Sequence, residues 1–220
     1  LYGGGESDNY KPQAAMADIA EQMQSIPGMG TVEVNRSAKV RLPFDAELYA
    51  PFIETEDDPE SLATFYETTT NSEAQYGAPL ISVNSDMIKL YNKTARQKID
   101  IDAFEKGEVC LIGYVDSISA SERMTDKTLT LVNDQTGRKR QITVGAAMMR
   151  TEQSAITAGY YWTLGGAPEA IFVSGAVMDD LFPDAEISCI IADAEKGKET
   201  EVTPYAVSYT HLTLPTILLV

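Results

Sequence analysis

The sequence predicts an α+β fold, with strand-to-helix units before and after a β-rich insert, and three observations predict it. Twice, at 79–91 and 170–182, a short apolar run passes through a capping residue into apolar positions at helical spacing. Between these units Leu129 and Leu131 alternate with threonines, NDQTG makes a turn and 141–144 returns, the pattern of a β-hairpin. With 220 residues, 44% of them hydrophobic, the chain can bury a sizeable core.

Taken in order, Met16, Ile19, Met23 and Ile26 recur at three- and four-residue spacing on one face of a helix starting near Pro12 and stopped by Pro27 and Gly28. Val32, Val34, Ala38, Val40 and Leu42 share one parity, as one amphipathic strand or a bent pair requires. The acidic run ETEDDPE then leads into a helix with Asp58 as N-cap, Pro59 at N1 and Leu62, Phe65 and Tyr66 on its apolar face. A strand over 79–83 follows, and Ser85 is the expected cap of a helix carrying Met87, Ile88 and Tyr91. Asp102 is the expected cap of a single turn, with Glu105 at the capping-box position and Gly107 as the left-handed stop before a strand over 109–115. After the hairpin, Tyr160, Tyr161 and Trp162 are expected on a strand. Ala170 to Val173 is extended, Ser174 caps a helix with Val177, Met178, Leu181 and Phe182, and a strand covers 187–192. The expected domains are therefore 12–115 with 168–194 as an α+β subdomain and 116–167 as an inserted, smaller β-rich subdomain.

Charge and residue inventory narrow the function classes. Seventeen Lys plus Arg against thirty-three Asp plus Glu give a net charge of -16, which repels nucleic acid and anionic lipid. Cys110 and Cys189 each sit in an apolar run, where a thiol behaves as a small hydrophobe, and sequence alone leaves open whether they pair. With no CxxC pair and with His211 as the only histidine, Cys/His zinc sites and histidine-based triads lack their parts. The run 54–60 lacks the alternating oxygen-ligand spacing of a calcium loop. The acid pairs Asp57/Asp58, Asp100/Asp102 and Asp179/Asp180 could in principle share general acid and base roles, but each is explained as a helix cap or solvated face. The expectation is thus no catalytic, cofactor-binding or metal site, no cofactor and no enzyme activity.

The two ends read differently from the middle. LYGGGESDNY is too polar for a signal-peptide core, and residues 1–11 read as a flexible linker from a transmembrane helix outside this chain. No run of about 18 to 20 apolar residues occurs. Beyond Glu201 the sequence has no Asp, Glu, Lys or Arg. Residues 195–206 are expected to be a linker, and 207–220 resemble the peptide obtained when sequencing-adapter DNA at the end of an assembly is translated. On that reading the natural sequence stops near residue 206 and His211 has no biological role.

Three stretches carry a family resemblance. PLISVNSDMIKLYNKTARQKIDIDAFEKGEVCLIGYV is similar to the strand, helix, short "kxiDxxaFxkGe" element and apolar strand of the outward-facing domain of FtsX/MacB-type ABC transporter permeases. KTLTLVNDQTGRKRQITVGA resembles the hairpin that follows in that family, and APEAIFVSGAVMDDLFPDAEISCIIADA its closing strand, helix and strand. The resemblance implies a porter-like subdomain with an inserted subdomain, the MacB-like periplasmic core, on the extracytoplasmic side of the cell membrane. It further implies an ATP-binding-cassette subunit as partner, a peptide, lipoprotein or cell-envelope protein as substrate, and a homodimer in the full permease. No GxxxxGK[ST] phosphate loop occurs, in keeping with a domain that transmits motion rather than hydrolysing ATP. A free-standing secreted ligand-binding or adhesion module is the alternative expectation, with Tyr160, Tyr161 and Trp162 as its candidate ligand contacts.

Overall fold

Alternating apolar residues need a partner for only one face of each strand, and six strands of this chain meet that need by closing on themselves. The computed structural model describes residues 13–43, 76–115, 118–149, 170–202, 204 and 217–219. Contacts divide the chain into two compact units, Ser37–Ala185 and, from the two ends of the sequence, Leu1–Arg36 with Glu186–Val220. The fold is α+β, with a mixed parallel and antiparallel sheet.

In the unit Ser37–Ala185, the second half of β1 (Met29–Leu42) pairs antiparallel with β2 (Tyr76–Ser82). Strand β2 runs parallel to β6 (Ile171–Val173), which is antiparallel to β3 (Val109–Val115). Strand β3 is parallel to β5 (Lys139–Met149), β5 is antiparallel to β4 (Thr128–Val132), and β4 returns to β1 at Arg41–Val132. The ring is closed, so these pairings leave no bare edge to attract another chain.

Every second residue of each strand then faces inward. Val40 and Leu42, Ala78 and Leu80, Cys110 and Ile112, Leu129 and Leu131, Ile142 and Val144, and Ile171 and Val173 form one apolar cluster. The ring is filled by side chains. The β3–β5 register shifts twice, first where Gly145 is skipped as Leu111 pairs with Ala146 and again between Ile112 and Val115. A Cβ at Gly145 would lie 3.1 Å from Val109 Cβ, so the bulge is also a close approach that glycine suits. Beyond it Ala147 joins the inner cluster.

Helix α5 (Gly175–Leu181), which follows β6, adds Val177, Met178 and Leu181 to the inner cluster. Asn133 Nδ2 donates to Leu181 O at 2.8 Å and Arg138 Nη1 to Asp180 O at 2.8 Å, so two carbonyls of its last turn find donors on the β4–β5 connection. Helix α2 (Ser85–Thr94) and the single turn α3 (Ile101–Glu105) connect β2 to β3, burying Met87, Ile88, Tyr91 and Phe104. Helix α4 (Ile118–Met124) connects β3 to β4 and contributes Met124 to the inner cluster.

Two caps fall one or two residues earlier than expected. Asn84, not Ser85, is the N-cap of α2, its Oδ1 accepting from Met87 N at 3.0 Å. Val83 N still bonds to Val173 O of the sheet, so Asn84 is the first residue free to turn. Asp100, not Asp102, caps α3 and accepts from Ala103 N at 2.8 Å. Asn92 sets that register, because its side chain bonds both N and O of Ile99 and fixes the residue before the cap. Gly107 has φ +72, as its place after α3 requires.

In the other unit, α1 (Gln13–Gln24) packs Met16, Ile19, Ala20 and Met23 against Ile190 and Ala192 of β7 (Glu186–Ala194). The first half of β1 lies beside β7, and β8 (Ile217–Leu219) pairs in parallel with its other side. Between the open alternatives for 32–42, the chain adopts one continuous strand. The expected insert 116–167 is not set apart in this division, because β4 and β5 belong to the same ring as β2, β3 and β6. The expected helix over 58–66 and the expected strand at 160–162 lie outside the described residues.

Candidate functional site

A site would require polar or titratable groups that converge, and the sequence offered three acid pairs. Asp57 and Asp58 lie outside the described residues, as do Tyr160, Tyr161, Trp162 and His211. Asp100 is committed to the amide of Ala103, and Asp102 is an exposed first-turn residue of α3. Asp179 and Asp180 are exposed on α5, and Asp180 Oδ2 takes a 2.8 Å ion pair from Arg140 Nη1. Neither described pair is brought together with a nucleophile and base, and each acid found among the hydrogen bonds has a structural partner.

The two thiols are buried and are not joined in a disulfide. Burial pushes Cys110 up to about 12. Cys189 is pushed up to about 11, first by burial and then by the nearby Glu33 carboxylate. Both remain protonated thiols at neutral pH, a state in which sulfur is a poor nucleophile and metal ligand. Among the described residues, no three His, Cys, Asp or Glu side chains are placed to hold a metal ion.

The most convergent polar groups among the described residues join helix α4 to the segment 95–99. Ser121 Oγ lies 3.0 Å from Gln97 Oε1 and 2.6 Å from Ala147 O. Thr125 Oγ1 lies 2.8 Å from the same Gln97 oxygen and 2.9 Å from Ser121 O. Arg96 adds a 2.9 Å ion pair to Glu122. Each hydroxyl has one proton to share between its two neighbouring oxygens, and the group ties α4 to the loop and to β5. The sequence reading missed it, and Asn92 and Arg140 with it. Long-range side-chain bonds leave no periodic signature, since their spacing depends on which strands become neighbours.

One polar group is different. The hydroxyl of Ser174, the N-cap of α5, is buried and has no hydrogen-bond partner, although caps of this type normally bond the helix amides. Its oxygen is sealed from solvent.

The residues described therefore define a class, an α+β domain with a side-chain-filled closed ring of strands and polar groups engaged in capping and clamping. Comparison of the chain with protein-family models and with curated proteins gives no match. No helix among the described residues is long and apolar enough to cross a membrane.

Proposed function

We propose that this chain is the extracytoplasmic domain of an FtsX/MacB-type ABC transporter permease, coupling ATP-driven motion of membrane helices to the handling of a peptide, lipoprotein or cell-envelope partner. One observation carries the reading. The stretch that bears the resemblance folds as β2, α2, the single turn α3 and β3, with Gly107 in the left-handed conformation after the turn, which is the order the resemblance implies. Within its D-x-D spacing Asp100 caps α3 and Asp102 is an exposed residue of the first turn. Recognition and mechanical coupling need a stiff body, and a closed ring packed with side chains supplies one.

The test is co-purification from the native membrane. The complete gene product, tagged at its C-terminus, is expected in the membrane fraction together with an ATP-binding-cassette protein. Recovery from the medium or the soluble periplasmic fraction, without such a partner, would favour the secreted module and overturn the proposal.

A further inference from the structure

A hydroxyl carries one proton, so of two oxygens beside it only one receives a hydrogen bond. Where α4 meets the segment 95–99, four short contacts draw on two such protons. Ser121 Oγ stands 2.6 Å from Ala147 O and 3.0 Å from Gln97 Oε1, while Thr125 Oγ1 stands 2.9 Å from Ser121 O and 2.8 Å from the same Gln97 atom. Carbonyls only accept, and those of Ala147 and Ser121 take both protons. The contact to Ala147 O is the shortest of the four, and a helical threonine hydroxyl donates to the carbonyl four residues back. Lone pairs are then left facing Gln97, where an oxygen would set acceptor against acceptor. Ser121 is buried, so bulk water does not supply the missing protons.

We propose that Gln97 is the latch that holds α4 on the ring, and that it does so through its amide nitrogen. Half a turn of the carboxamide places Nε2 where it donates one hydrogen to Ser121 Oγ and the other to Thr125 Oγ1, and the four contacts then have four protons. The turn breaks no bond, because the far end of the carboxamide has no hydrogen-bond partner among the described residues. The loop that carries Gln97 is held in place by Asn92, whose side chain bonds both N and O of Ile99. The Arg96–Glu122 ion pair joins the same two segments but is exposed and screened, which leaves the amide as their main tie. Release of α4 would withdraw Met124 from the inner cluster and loosen the bonds of Asp126 N and Lys127 O to Val144 that follow the helix, while β3 and β6 stay paired. The latch does not depend on the permease reading.

Nuclear magnetic resonance of the full, isotope-labelled chain reads the amide directly. The side-chain amide protons of Gln97 are expected to show nuclear Overhauser contacts to the β protons of Ser121 and the methyl group of Thr125. They should also exchange about tenfold more slowly than those of Gln135, which is exposed in the β4–β5 turn. Gln97→Glu sets a carboxylate, an acceptor only, against both hydroxyls. At pH 7 backbone exchange at Thr125 and Asp126 should then rise about tenfold over wild type, with the amides of β3 and β6 unchanged. Lowering the pH through the carboxyl range returns one proton to the site and should shrink the difference. Gln97 side-chain protons that exchange as fast as those of Gln135 and lack those contacts would overturn the proposal, because the oxygen then faces the hydroxyls. So would a Gln97→Glu chain in which Thr125 and Asp126 exchange no faster than in wild type, or in which β3 and β6 speed up as much as they do. Should Gln97→Glu unfold the chain, the wild-type spectrum decides alone.

Discussion

Truncating Leu80 inside the closed ring should be far more damaging than truncating Leu90 on the outer face of α2, although both changes are Leu→Ala. Leu80 is fully buried in β2 and pairs with Ala38 on one side and Ile171 on the other, so hydrogen-bonded strands flank the cavity that its loss would leave. Removing three carbons forfeits about 2.5 kcal/mol at roughly 0.8 kcal/mol per buried methylene. Walls held by their neighbours collapse poorly, which adds about 1 to 2 kcal/mol and brings the total to about 4 kcal/mol. Leu90 is 36% exposed, and alanine is the better helix former, so its truncation should stay under about 1 kcal/mol. Urea unfolding of both variants, followed by far-ultraviolet circular dichroism, measures the difference, and Leu80→Ala should also lower the melting temperature by about 8 to 16 °C. Equal midpoints, or a Leu80→Ala cost under about 1 kcal/mol, would refute the filled ring.

Other outcomes follow from the same contacts. Asp100→Ala should cost about 1 kcal/mol through loss of the Ala103 cap bond, whereas Asp102→Ala should fall within about 0.5 kcal/mol of wild type in the same urea assay. Gly107→Ala should destabilise by at least about 1 kcal/mol, because φ is +72 and the new Cβ would meet Val177 Cγ2 at 2.7 Å; calorimetry checks this. Cys110 should resist a thiol reagent at pH 8 until urea unfolds the chain, as read by the absorbance of the released thiolate. Its raised value means that the folded state keeps a proton which the unfolded state loses above the thiol's ordinary 9.0. Stability should therefore be insensitive to this group below pH 9 and fall as pH rises from there toward about 12, an effect that Cys110→Ala should remove.

Local chemistry made much of this fold legible. Leu129 and Leu131 alternate in sequence and alternate in the ring, Gly107 stops its turn with positive φ, and Val177, Met178 and Leu181 share a face as their spacing requires. The caps were narrowed to a residue or two, because Asn84 and Ser85 are both good N-caps and only the last sheet bond, at Val83, decides between them. Ring closure could not be read, since it depends on β1 meeting both β2 and β4 across long stretches of chain. For the same reason residues 116–167 were expected as an inserted subdomain, and the bulge at Gly145 that reconciles the hairpin with β3 has no signal beyond an isolated glycine. The cap of α3 was expected at Asp102, whereas Asp100 makes it.

The proposal that this is a permease domain is tested most directly by the complete gene, read without interruption through codon 206 and upstream of Leu1. It predicts an apolar stretch of about 20 residues on each side of the domain, an ATP-binding-cassette gene alongside, and a sequence that departs from VSYTHLTLP after residue 206. A reading frame that continues through VSYTHLTLP, or that has no such stretch on either side, would contradict it.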